Sequence, residues 1–282
     1  MLTEKNLLIS EEQYTKNATI YEDTELRPKA NILYFHGGGL LYGRRQDLPE
    51  LHLNTLTREG FRIIAFDYPL APAAGLELIV DDVVSSINHF ISNPEFYGAE
   101  ELPYFLWGRS AGAYLCLLVA TKELLRKPTG ILSYYGYGFL SDGWFMTPSK
   151  YYCSLPAVSE TIVESVPKEL HCDGDLDTHY SVYVYARQTG KWVDLIYSGR
   201  PKFFYLNYTL RTCDKMPCPI FCAHSIGDTD VPYSEFLELC NRYNAKRFIA
   251  SANTHDFDRD ETSPVTKQLL DATIAFMNQK MN

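Results

Sequence analysis

Three residues far apart in a chain of 282 could together activate a hydroxyl: Ser110, Asp228 and His255. Serine alone is a poor nucleophile. It needs a base to take its proton and a third group to orient that base. Ser110 sits in Gly108-Arg109-Ser110-Ala111-Gly112, entered from the apolar run Tyr104–Trp107 and left through the small, apolar run Ala113–Ala120. This pattern predicts strand, sharp turn and helix, with the hydroxyl at the apex. The glycines let strand and helix approach without a Cβ between them. Attack on a carbonyl creates an oxyanion, which needs preorganised donors. His36-Gly37-Gly38-Gly39 offers backbone N–H groups clear of side chains. The N–H of Ala111 offers another at a helix start. His36 is expected to orient the glycine loop rather than to react.

The elements that must position these groups are legible as apolar runs. Asn31–Phe35, Phe61–Phe66, Tyr104–Trp107, Ile131–Tyr135, Pro219–Ala223 and Lys246–Ala250 read as strands. Most are continuous rather than alternating, as in strands buried on both faces of a parallel sheet. Helical spacing separates them at 48–59, 76–92, 111–125, 233–243 and 264–281. Residues 1–30 read as one or two short strands and turns. The alternation predicts an α/β fold, a doubly wound and mostly parallel sheet. In such sheets ligand sites lie at the carboxyl ends of strands, where His36, Asp67 and Ser110 fall. The rhythm breaks near Phe139. Residues 140–210, rich in aromatics and turn formers, are expected to form a mostly helical lid inserted into a single domain spanning 1–282.

Each candidate has a plainer reading. Gly-x-Ser-x-Gly alone occurs by chance. Asp230 lies two residues beyond Asp228, and either could face His255; Asp228 is favoured because it follows the strand directly. Asp256 and Asp258 are expected to be structural, and Asp67 to fix its loop by hydrogen bonds. His52, His89, His171, His179 and His224 carry no motif and are expected to be structural. Cys213, Cys218 and Cys222 near His224 lack the paired spacing of a metal site, and His171–Asp175 reads as a polar turn. No metal and no organic cofactor is expected. Seven cysteines without a signal-peptide pattern fit reduced thiols in a cytoplasmic protein. A net charge of −9 argues against a nucleic-acid partner or an anionic membrane surface. No apolar run reaches the roughly 18 residues of a membrane span.

Taken together, these residues resemble the hormone-sensitive-lipase-like carboxylesterase group of the α/β-hydrolase fold. The matching stretches are His36-Gly37-Gly38-Gly39, Asp67-Tyr68-x-Leu70-Ala71-Pro72, Gly108-x-Ser110-Ala111-Gly112, His224-Ser225-x-x-Asp228-x-x-Val231-Pro232 and His255-x-Phe257. The order serine, acid, histidine is also that of the fold. The resemblance implies Ser110 as nucleophile, Asp228 as acid, His255 as base, and Gly38, Gly39 and Ala111 as oxyanion-hole donors. It implies a small-molecule ester of small to medium acyl group as substrate, cleaved through an acyl-enzyme. Cleavage of an amide or peptide bond, or non-catalytic ligand binding on the same scaffold, are the alternatives. Three features depart from the group. Arg109 stands where aspartate is usual, Ala73 where glutamate is usual, and only 35 residues precede His36, so the group's N-terminal helical cap is largely missing. A carboxylate of the 140–210 segment is the partner the sequence suggests for Arg109.

Overall fold

The apolar runs become strands of one sheet in a computed structural model that describes residues 1–281. The chain begins with β1 (Leu2–Ser10) and β2 (Lys16–Asp23), an antiparallel pair. Then follow β3 (Ala30–Phe35), α1 (Glu50–Arg58), β4 (Phe61–Phe66), α2 (Leu76–Ser92), β5 (Tyr104–Arg109), α3 (Ala111–Val119) and β6 (Gly130–Tyr134). A long insertion carries α4 (Thr178–Thr189), α5 (Trp192–Ile196) and α6 (Pro201–Asn207). The sheet resumes with β7 (Ile220–Ser225), α7 (Tyr233–Tyr243), β8 (Lys246–Ala250) and α8 (Pro264–Met281).

The strand order is β1-β2-β4-β3-β5-β6-β7-β8. Strands β3 to β8 run parallel, and β2 joins β4 antiparallel. From β3 the chain steps to one side to make β4, then returns to place β5 on the other. The order therefore switches between β3 and β5. A crevice opens at such a point because the flanking connections leave on opposite faces. The glycine loop follows β3 and Ser110 follows β5, so the switch brings them together.

Alternation along each strand sorts the side chains into two cores. Leu33 and Phe35 of β3, with Tyr104 and Leu106 of β5, face the layer of α2, α3 and α7. Ile32, Tyr34, Phe105 and Trp107 face α1 and α8. Covering both faces is what removes polar residues from these strands. Helix α3 is buried on every side, which explains its uniformly apolar sequence. It ends at Val119, short of the expected 125. Beyond it, the Thr121 hydroxyl donates to the Leu118 carbonyl at 2.7 Å.

The insertion after β6 is α-helical only in its second half. Residues 140–177 form short 3-10 turns at Ser141–Met146, Tyr152–Ser154 and Glu160–Ser165. Pro148, Pro156 and Pro167 each remove a backbone donor, so no helical ladder can extend through them. No helix among the described residues is long and apolar enough to cross a membrane.

The junction of β3, β5 and α3 has no room for a side chain. A Cβ on Gly112 would stand 2.0 Å from the Phe35 carbonyl oxygen, while one on Gly75 would meet nothing within 4 Å. Gly112→Ala is therefore expected to lose at least the roughly 1–3 kcal/mol typical of overpacked cores, and Gly75→Ala to stay close to wild type. Urea unfolding of the two variants checks this, and equal midpoints would contradict it.

Candidate active site

Ser110 occupies a backbone conformation that L residues rarely adopt, φ 53° and ψ −118°. Such a conformation costs about 1–3 kcal/mol and persists only where its surroundings over-determine it. Here a Cβ on Gly108 would lie 2.2 Å from Gly112 backbone atoms, and one on Gly37 would lie 3.2 Å from the Ser110 Cβ. Three glycines thus clasp the serine. Its N–H donates to the Tyr134 carbonyl at 2.9 Å.

His255 and Asp228 complete a chain of hydrogen bonds to this serine. The loop carrying His255 follows β8, as expected, and its Nε2 lies 2.8 Å from Ser110 Oγ. Its Nδ1 lies 2.7 Å from Asp228 Oδ2. A carboxylate can only accept, so it fixes the proton on Nδ1 and leaves Nε2 to accept from the hydroxyl. The other Asp228 oxygen accepts the N–H groups of Asp230 and Val231, at 2.8 and 2.9 Å. Burial opposes charge on His255, but the contact and charge of Asp228, with Asp230 and Asp256 beyond it, prevail and push its pKa up to about 9. Burial likewise opposes ionisation of Asp228, yet the facing His255 holds its pKa below the ordinary value.

The adjacent Asp230 faces away from this chain. Its carboxylate accepts from the hydroxyls of Tyr152 and Tyr183, at 3.1 and 2.6 Å, and from Arg187 Nε at 3.1 Å. All three partners belong to the inserted segment. The sequence left Asp228 and Asp230 as alternatives, and the geometry gives them separate partners.

The glycine loop lies against Ser110 on the side away from β6. Gly38 and Gly39 have φ of 106° and 59°, and a Cβ on Gly39 would strike the Tyr183 ring at 2.1 Å. Among the described residues, the N–H groups of Gly38, Gly39 and Ala111 donate to no protein acceptor. The carbonyl of Gly39 is held by Trp192 Nε1 at 2.7 Å. His36 is fully buried and stacks on Tyr68, with ring centroids 4.3 Å apart. Its Nδ1 lies 2.7 Å from the Gly37 carbonyl, so it orients the loop as expected. Burial lowers its pKa below the ordinary histidine value. Asp67 also fixes its loop, accepting from the Asn17 N–H at 2.9 Å and from Arg45 at 2.8 Å.

The family model described as alpha/beta hydrolase fold matches residues 32–173, half of the chain. The chain belongs to the α/β-hydrolase fold family. A protein of unknown function from Staphylococcus aureus subsp. aureus Mu50 is 28% identical with a TM-score of 0.84, over 99% of this chain and 100% of that one. An alpha/beta hydrolase superfamily protein from Enterococcus faecalis is 24% identical with a TM-score of 0.82, over 98% and 99%. An esterase from Pyrobaculum calidifontis shares the fold at 15% identity and a TM-score of 0.70, over 97% and 83%.

In this α/β-hydrolase the sequence reading of Arg109 needs correction. Its partner is Asp258, not a carboxylate of the 140–210 segment. Arg109 Nη2 donates to Asp258 Oδ1 at 2.9 Å, and both side chains are buried. The reason is periodicity. Arg109 follows Phe105 and Trp107 at two-residue steps, so it points to the α1/α8 face and away from the insertion. His52 approaches the other Asp258 oxygen at 2.9 Å. Sequence reasoning missed this cluster; the step from Trp107 to Arg109 was the available sign. The remaining histidines lie elsewhere. His89 meets the Tyr97 hydroxyl at 2.7 Å, and His171 and His179 face each other at 3.2 Å. His224 is buried under Val231, 3.1 Å from its carbonyl, and 3.2 Å from Asp228. Among the described residues, no group of three or more His, Cys, Asp or Glu could hold a metal ion.

A small space of about 40 Å³ touches Ser110, Gly37, Gly38 and His255. It adjoins a cleft of about 510 Å³ walled by Tyr42, Tyr151, Tyr152, Tyr180 and the outer side of His255. The walls from the insertion depend on Asp230. Removing this carboxylate strands the Arg187 guanidinium in a buried site, so Asp230→Ala is expected to cost roughly 3–5 kcal/mol. Loosening of residues 140–177 should accompany the loss. Limited proteolysis with unfolding curves reads both, and a wild-type cleavage rate would refute the anchor.

Proposed function

We propose that this protein is a serine hydrolase that cleaves carboxylic esters of small to medium acyl groups. The observation that carries the reading is the unbroken hydrogen-bond chain Ser110–His255–Asp228, beside a glycine loop and helix start whose Gly38, Gly39 and Ala111 N–H groups donate to no protein acceptor among the described residues. Ser110 is the nucleophile, His255 the base, Asp228 the orienting acid, and Gly38, Gly39 and Ala111 the oxyanion donors. His255 Nε2 takes the hydroxyl proton as Ser110 Oγ attacks the ester carbonyl. The carbonyl oxygen gathers negative charge, which the three N–H groups stabilise. The tetrahedral centre collapses, the alkoxide leaves with the proton from His255, and an acyl-serine remains. Water then loses a proton to His255, attacks the acyl carbon, and the acid departs as Ser110 recovers its proton.

Segment 140–210 acts as the lid, its tyrosines forming the wall for the ester's alcohol side. The esterase from Pyrobaculum calidifontis, described by that activity and similar in fold, supports the reading. Seven free thiols suit a reducing compartment such as the cytoplasm.

Two measurements test the proposal. With p-nitrophenyl acetate, Ser110→Ala is expected to lower kcat by about 10⁶-fold and Asp228→Asn by about 10⁴-fold; equal rates in Ser110→Ala and wild type would refute it. Only neutral His255 can act as base, so kcat/KM must rise with pH through the histidine's pKa. The limb is expected above the ordinary 6.5 and toward about 9. The stability linkage has the opposite sign. Protonated His255 is the form that Asp228 stabilises, so that contribution is complete below about 6.5 and fades as pH climbs to about 9. A pH–rate limb centred below 6.5 would count against this assignment.

A further inference from the structure

We propose that Arg109 and Asp258 form a buried positioning pair that holds His255 against Ser110. The inference rests on the reading of His255 as the base, and adds the residues that set its place. Arg109 is covalently next to Ser110, and Asp258 is three residues past His255. Their ion pair therefore ties the backbone of the nucleophile turn to the backbone of the base loop.

The loop needs such a tie. Between β8 and α8 it contains only turns and bends. The Ser225 hydroxyl holds its Thr254 carbonyl at 2.6 Å on one side of His255. On the other side Asp258 is wholly buried and reaches three elements. Its Oδ1 accepts from Arg109 Nη2 and from the Tyr135 hydroxyl, both at 2.9 Å, and its Oδ2 faces His52 of α1 at 2.9 Å. The Tyr135 hydroxyl in turn accepts from Arg109 Nε. The Tyr135 ring stands edge-on to the His255 imidazole, with centroids 4.7 Å apart. Asp258 thus fixes the loop and, through Tyr135, the wall on which the imidazole rests.

Stability alone does not account for this pair. Replacing a buried ion pair by apolar groups of similar size is often neutral or stabilising, while removing one partner is costly. A planar guanidinium forked between carboxylate and phenol does set orientation, because its donors are rigid. Displacing a reacting group by about 1 Å can cost about 10²-fold in rate.

This separates positioning from structure experimentally. The full-length protein is assayed with p-nitrophenyl acetate as wild type, as Arg109→Met/Asp258→Leu, and as Tyr135→Phe. The double variant removes both charges but leaves the Tyr135 hydroxyl and His52 without their acceptor, so its melting temperature is expected to fall; assayed well below that temperature, its kcat is expected to fall about 10- to 10²-fold while KM stays within about two-fold of wild type. Tyr135→Phe removes only the hydroxyl bridge, so its melting temperature is expected to fall modestly; assayed well below that temperature, its kcat is expected to fall by a few-fold at unchanged KM. A folded double variant with wild-type kcat overturns the proposal. If the double variant does not fold, Tyr135→Phe decides, and wild-type kcat there overturns it equally. Failure of the underlying reading looks different: wild type itself then shows no turnover that depends on Ser110.

Discussion

Everything at this site hangs on the close approach of three backbones. Strand β5, helix α3 and the loop after β3 meet with Gly108, Gly112 and Gly37 between them, and none of the three has space for a Cβ. That contact holds Ser110 at a positive φ which its own side chain disfavours. It also sets the hydroxyl beside the glycine loop, and it exists because the strand order switches between β3 and β5. Shifting β5 by one residue would turn Arg109 to the opposite face and part it from Asp258. Local strain, sheet topology and side-chain electrostatics are therefore one constraint seen at three scales.

Much of this was legible in the sequence because it is written in backbone requirements. Continuous apolar runs mark strands covered on both faces, and six of them locate β3 to β8 to within a residue or two. Helices α2, α7 and α8 follow their periodicity almost to the residue. The meeting of Ser110, Asp228 and His255 was readable because each follows a strand, and topology puts those ends on one edge. The insertion was less readable. Its first half has neither helical nor strand period, and its fold depends on long-range polar contacts such as Arg187 with Asp230, 43 residues apart. Nothing local encodes such a partner. The full extent of the β1–β2 hairpin was also hidden, since its outer strand is mostly exposed and carries little apolar pattern.

Two aspartates two residues apart show how placement divides chemistry. Asp228 and Asp230 leave the same turn in different directions. One meets the imidazoles of His255 and His224 and two backbone N–H groups; the other meets two phenols and a guanidinium. The N–H of Asp230 donates to Asp228, so the turn that orients the histidine is continuous with the turn that holds the insertion. The residues that wall the cleft and the residue that meets His255 are therefore held by one continuous turn.

Buried arginine–carboxylate pairs are an expensive way to hold a fold together, since desolvating two charges can cancel their attraction. Among the described residues two are almost fully buried on both sides, Arg109–Asp258 and Arg187–Asp230. Both sit at the carboxyl ends of the strands, while Leu, Ile and Phe pack the two faces of the sheet. Each has its carboxylate within three residues of His255 or Asp228, on irregular loops that apolar contacts alone would leave free to slide. Hydrophobic contact is non-directional, whereas a forked guanidinium fixes both distance and angle. The placement of these pairs follows from that difference: charge is buried where a loop must be held in one orientation, and apolar area is buried where only cohesion is needed.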